Sequence, residues 1–135
     1  SLASAQPEVL AKAAELGLRD TDARVRDWGA QAAVRLFANH GGEGAAEALS
    51  LLLVERLKDE DAGVRATSVR ALSFTERSVH MGSMAGLLTD DDPITRLAAV
   101  DALVRLDANQ AKTLLEAANV ASDPDARVAR AAKRL

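Results

Sequence analysis

No cysteine and no tyrosine occur in this sequence of 135 residues, and aromatic residues make up only 2% of it. The missing thiols exclude disulfides, thiolate metal sites and a cysteine nucleophile. Apolar residues still amount to 48%, so a core has to be built from Ala, Leu and Val, whose small side chains suit closely spaced helices. No apolar run approaches the ~20 residues a helix needs to cross a bilayer, and no membrane partner is expected. The opening Ser-Leu-Ala-Ser-Ala-Gln lacks the basic start and long apolar stretch of a signal peptide, and the expected location is the cytoplasm. Positive charge is also lacking overall: the formal net charge is −3, which argues against nucleic acid as the partner of the whole surface. Its exception is local, because Arg127, Arg130, Lys133 and Arg134 crowd the last turns against a single Asp125.

What the chain has in abundance is self-similarity. An Asp followed four residues later by Arg occurs at Asp22/Arg26, Asp61/Arg65, Asp92/Arg96 and Asp123/Arg127. Each Asp is placed to cap a helix, accepting a backbone N–H at the positive end of the helix dipole. Pro93 and Pro124 then fall at the first helical position, where a missing N–H costs nothing. The spacing predicts helices over roughly 23–37, 62–74, 93–107 and 124 to the end, called A helices here. Second helices, the B helices, are predicted near 7–18, 44–58, 77–88 and 109–120. One face of each reads Leu10, Ala14, Leu18; Leu49, Leu53, Leu57; His80, Met84, Leu88; and Ala111, Leu115, Asn119. A spacing of four puts each trio on one buried side, and no segment alternates with the period of a strand. The whole of 1–135 is expected to be one domain: a half-repeat helix at 7–18, helix pairs at 22–58, 61–89 and 92–121, and a terminal half-repeat at 123–135 that reads as truncated.

Residues 90–106, Asp-Asp-Asp-Pro-Ile-Thr-Arg-Leu-Ala-Ala-Val-Asp-Ala-Leu-Val-Arg-Leu, resemble the bacterial short HEAT repeat, the form also found in phycobilisome-lyase-type proteins. The resemblance runs over about residues 7–135 and is strongest at 19–36, 57–72 and 88–106. It implies an all-α, right-handed superhelix of about four helix pairs. It also implies that the B helices line the concave face, and that Asp and Arg of successive repeats form a ladder along the stack. The eight residues Asp22, Arg26, Asp61, Arg65, Asp92, Arg96, Asp123 and Arg127 would then be structural, the rival being an anion site made of stacked arginines.

Convergent chemistry is scarce. His40 and His80 lie in different repeats without metal-ligand spacing, and no catalytic, cofactor or metal residues are assigned. Acidic clusters at Asp20/Asp22, Asp59/Glu60/Asp61 and Asp90/Asp91/Asp92 recur once per repeat; they read as helix starts and turns or, alternatively, as a divalent-cation site. The glycine-rich stretch 38–46 is either a helix stop and linker or a functional loop. Trp28 stands in a slot filled elsewhere by Thr67, Ala98 and Ala129; it either closes the packing or anchors a partner.

The expected function is a non-catalytic scaffold that binds a protein or peptide on the concave B-helix strip. Its candidate contacts are Glu47, Ser50, Val54, Ser78, Met81, Lys112 and Glu116, with His40 in the adjoining loop. The alternatives are a bilin-lyase-like subunit, implied by the repeat subtype alone, and nucleic-acid binding through the basic last helix. Self-association through an uncapped C-terminal end is a further expectation.

Overall fold

Three of the four expected caps form where the spacing puts them. The carboxylates of Asp22, Asp61 and Asp92 accept the backbone N–H of Arg24, Val64 and Ile94 at 2.8, 3.0 and 2.8 Å. They start α2 (Ala23–His40), α4 (Ala62–Leu72) and α6 (Pro93–Leu106), the last with Pro93 in its first turn. The computed structural model describes residues 6–41, 46–75 and 78–135. Residues 42–45 of the glycine-rich stretch, and the predicted starts of the second and third B helices at 44–45 and 77, lie outside the described residues.

The fourth A helix starts later than expected. Asp125, not Asp123, caps α8 (Ala126–Lys133), accepting the Arg127 N–H at 2.8 Å. Pro124 is therefore in the turn and not in the helix, at the place held in earlier repeats by Thr21, Glu60 and Asp91. The physical reason is that the Asp123 carboxylate is already engaged. It accepts the Asp125 N–H at 2.9 Å and a guanidinium from the preceding repeat. This turn is thus a fourth copy of an Asp-x-Asp unit, displaced by two residues from the expected register.

The B layer comprises α1 (Pro7–Leu18), α3 (Ala46–Arg56), the short α5 (Met81–Ala85) between two 3-10 turns, and α7 (Ala108–Ala117). Gly82 and Gly86 bracket the break after α5, consistent with the ~1 kcal/mol that glycine costs in a helix interior. The last B segment also stops short of the expected 120. Asn119 adopts a left-handed backbone with φ 55, which ends α7 and leaves Asn119 exposed. Val120 is buried in its stead. Asp107 works at both ends of one joint, terminating α6 and capping α7 by accepting the Gln110 N–H at 3.0 Å.

The core lies between the two layers. From the B side it takes Leu10, Leu18, Leu49, Leu53, Met84 and Leu115; from the A side it takes Ala33, Leu72, Val100, Leu103 and Val128. His80, placed on the buried face by its spacing, is only half-buried, and Met81 beside it fills the core. Each fully buried Leu or Val adds roughly 1.5–3 kcal/mol of transfer free energy. Alanines at the facing positions let the helices come close. The tightest approach is at α1 and α2, where Gly17 and Gly29 cross: a Cβ on Gly29 would lie 2.7 Å from the Leu18 nitrogen. The result is an all-α stack of helix pairs with no strand among the described residues.

Spacing differs between the layers, and this sets the two faces. Successive A helices pack directly on one another, α2 on α4, α4 on α6 and α6 on α8. Among the B segments only α1 and α3 make comparable contact. In a curved stack the closely spaced layer is the inner one. We therefore call the closely packed A layer the inner face, and the B layer, where α5 is short and only α1 and α3 touch comparably, the outer one. The sequence reading expected the concave side on the B helices.

Candidate interaction face

Turns between the layers carry a repeated electrostatic clamp. Arg26 donates through Nε and Nη2 to both carboxylate oxygens of Asp59, at 2.8 and 3.1 Å. Arg65 does the same to Asp90 at 2.8 and 3.1 Å, and Arg96 to Asp123 at 2.8 and 3.0 Å. The third nitrogen of each arginine holds its own turn: Arg26 Nη1 donates to the carbonyls of Asp20 and Thr21, Arg65 to those of Asp59 and Glu60, and Arg96 to those of Asp90 and Asp91. Each guanidinium thus locks one turn and reaches the next with the two-pronged geometry that favours arginine over lysine.

A ladder is present, but its acidic rungs differ from those expected. Asp22, Asp61 and Asp92 are caps that take no ladder arginine. The first Asp of the second, third and fourth Asp-x-Asp units, Asp59, Asp90 and Asp123, does, and its carboxylate also accepts the N–H of the second Asp. Among the described residues, Asp20 of the first unit accepts the Asp22 N–H alone. Arg127 is not a rung: it folds back on its own cap, Nη2 to Asp125 at 2.8 Å, as Arg24 does on Asp22 at 3.0 Å. With the register corrected, Ala129 occupies the arginine slot of α8. The acidic clusters are thereby explained as caps and rungs, and no group of three metal-competent side chains converges among the described residues.

The pairs are shielded. The side chains of Arg26 and Asp59 are only 7% and 2% exposed, and the two later pairs are little more open. Burial alone would raise the Asp59 carboxyl, but the Arg26 guanidinium and the Asp61 N–H outweigh it and hold it below the usual carboxylate range. Asp22 and Asp125 are held low chiefly by hydrogen bonds from Arg24 and Arg127. With all guanidinium nitrogens in use, the ladder is a fastening and offers no free anion site.

The expected B-helix strip does not form one surface. Ser50 and Met81 are completely buried, so neither is available as expected, and Val54 is half-buried against the core. The reason is rotational: these positions turn toward the A layer, which leaves Leu51 and Ser83 outside. Glu47, Ser78, Lys112 and Glu116 are exposed, yet they lie on the outer, spread layer. His40 is exposed at the end of α2, next to Gly41 with φ 78. Of the exposed apolar residues of this layer, Val9 and Leu16 stand two turns apart on α1, while Leu51 and Val79 sit singly on other segments.

A continuous exposed strip exists instead on the inner face. It runs from Trp28 and Arg35 on α2, through Arg70 on α4 and the half-buried Phe74 just after it, to Asp101 and Arg105 on α6 and Arg134 just after α8. Trp28 is 40% exposed, and the corrected register aligns it with Thr67, Ala98 and Ala131. Beside it, Thr67 donates to Asp27 at 2.6 Å and ties α4 to α2. The Arg105 guanidinium lies 4.6 Å above the Phe74 ring. Over α6 the strip deepens into a groove of about 760 Å³. Sequence reasoning missed this face because it looked for the working surface on the B helices; the arginines Arg35, Arg70, Arg105 and Arg134, one on or just after each A helix, were the available signal.

Paired helices stacked in register and fastened turn to turn define an α-solenoid of the scaffold type. The chain belongs to the HEAT repeat family, whose model matches residues 50–135, more than half of its length. HEAT repeats generally serve protein–protein interaction. No curated protein matches the sequence. The first pair, α1 and α2, precedes the matched span but joins it through the same clamp, Arg26 to Asp59. No helix is long and apolar enough to cross a membrane among the described residues.

Proposed function

We propose that this chain is a non-catalytic scaffold that holds a partner protein on the inner face of α2, α4, α6 and α8. The observation that carries the reading is the exposed strip itself, which crosses all four A helices and combines an aromatic anchor at each of two repeats with an arginine in every repeat. Solenoids work by presenting such a strip per repeat along one side, and Trp, Phe and Arg are the residues that most often anchor interfaces. The ladder behind it keeps the repeats in fixed relation, so the strip is pre-organised.

One observation favours a second reading. Arg35, Arg70, Arg105, Arg130 and Arg134 all lie exposed on this face of an otherwise acidic chain, so a nucleic-acid contact would involve all four A helices and not the last alone. The bacterial short-repeat subtype, and the lyase-like role it implies, rest on the residues 90–106 pattern; nothing in the geometry adds to them.

The test is a charge-reversal panel. A partner retained by the immobilised chain and identified by mass spectrometry is titrated against R70E and R35E on the inner face and K112E and E116K on the outer one. Loss confined to the inner pair is expected; loss confined to the outer pair would refute the assignment.

A further inference from the structure

The groove over α6 has walls of different helices and a chemistry of its own. Its floor is Ile94, Leu97 and Val104 of α6, with Phe74 of α4 on one side and Leu135 on the other. Around this apolar floor stand three exposed arginines, Arg70, Arg105 and Arg134, against one carboxylate, Asp101. The size of the groove, about 760 Å³, lies within the range of built ligand clefts. Exposed apolar floor and unspent positive charge thus occur together at one place, on a chain whose net charge is −3.

Each of the three cations is available. Among the described residues none of them donates to a carboxylate within hydrogen-bond distance, in contrast to Arg26, Arg65 and Arg96, whose nitrogens are all engaged. The Arg105 guanidinium carbon lies 4.6 Å from the centre of the Phe74 ring, and a guanidinium held over a ring face keeps N–H groups for a carboxylate. Partial desolvation in the groove pushes the Asp101 carboxyl up although Arg134 and Arg105 pull it down, a sign that the local medium is already less polar than bulk water.

From this we infer that the α6 groove binds an acidic amphipathic peptide segment of the partner, its apolar side chains seated on Ile94, Leu97 and Phe74 and its carboxylates paired with Arg70, Arg105 and Arg134. The inference rests on the scaffold reading above and adds the chemistry of the occupant. Complementarity of charge and polarity selects it. A nucleic acid fits less well, since a phosphate backbone would meet an apolar floor and the Asp101 carboxylate in the middle of the site.

Two measurements test it together. Selection of random peptides on the immobilised chain should enrich sequences that mix Glu or Asp with Leu, Ile or Phe. A fluorescein-labelled helical peptide of Leu and Glu should bind in an anisotropy titration, weaken with added salt, and lose about tenfold in affinity for R105E or R134E. R105K, which keeps the charge and loses the planar fork, should lose less than R105E, and K112E on the outer layer should retain all of the binding; circular dichroism checks that each variant folds. The same peptide with Lys for Glu, a labelled oligothymidine and a DNA duplex are the competitors. Tighter binding of the oligonucleotides, or acidic-peptide binding unmoved by R105E and R134E, overturns the inference. Enriched peptides of other chemistry that still respond to R105E or R134E overturn it while leaving the scaffold reading intact; binding that moves with K112E instead overturns both. No enriched peptide and no probe binding at all removes both.

Discussion

The two aspartates of each turn do different physical work, and their energetics should separate accordingly. Asp92 closes a helix end by one exposed hydrogen bond to Ile94, so Asp92→Ala should cost about 1 kcal/mol. Asp59 is buried against Arg26, and its removal leaves a guanidinium without its counter-charge. Asp59→Ala should therefore cost about 3 kcal/mol in urea denaturation; equal costs for the two variants would show that the ladder is no more than capping. The same pair gives stability a pH dependence. Folding lowers the Asp59 carboxyl, so its contribution is complete above the ordinary carboxylate value near 4 and fades as the pH falls through the depressed folded value. Urea midpoints between pH 6 and pH 3 should fall less steeply for Asp59→Asn than for the parent chain. An unchanged slope would assign the acid sensitivity to other groups.

At the scale of helices, closeness is bought with small residues, and the α1–α2 crossing is the sharpest case. Gly29→Ala gains about 1 kcal/mol of helix propensity, yet the new methyl meets backbone atoms of Leu18, Ala14 and Gly17 at 2.7–2.9 Å. Backbone cannot swing aside as a side-chain tip can, so overpacking of about 1–3 kcal/mol should win, and the melting temperature should drop. A rise would mean that the crossing has slack. The elements themselves were legible in advance where local chemistry is strong: the caps at Asp22, Asp61 and Asp92 and the leucine faces of α1 and α3 lie where spacing puts them. Two things were not legible from Asp-to-Arg spacing alone. The start of α8 depends on a contact between repeats, Arg96 to Asp123, that outweighs the local pull of Pro124 toward a helix start. The break at Asn119 is a left-handed residue with nothing preceding it in sequence to announce it. Periodicity reports on one helix at a time, and these features belong to pairs of repeats.

For the whole molecule, the decisive quantity is the difference in spacing between the two layers. Helix faces can be read from sequence, but how closely each layer stacks depends on contacts between repeats, and that spacing moves the proposed binding face from Ser50 and Met81 to Arg70, Phe74 and Arg105. Introducing a charge at Ser50 would wound the core and say nothing of binding, because its side chain has no exposed surface. The turn clamps Arg26–Asp59, Arg65–Asp90 and Arg96–Asp123 make the stack one fastened unit, so the inner strip meets a partner with its geometry already set.

The central claim, that the A-helix face is the binding face, is tested most directly by an NMR titration of the isotope-labelled chain with the Leu/Glu peptide. Amide shifts should cluster at Arg70, Phe74, Ala98, Asp101 and Arg105, with those of Glu47, Leu51, Lys112 and Glu116 unmoved. Shifts gathered on the latter group, with the α6 groove silent, would contradict the account.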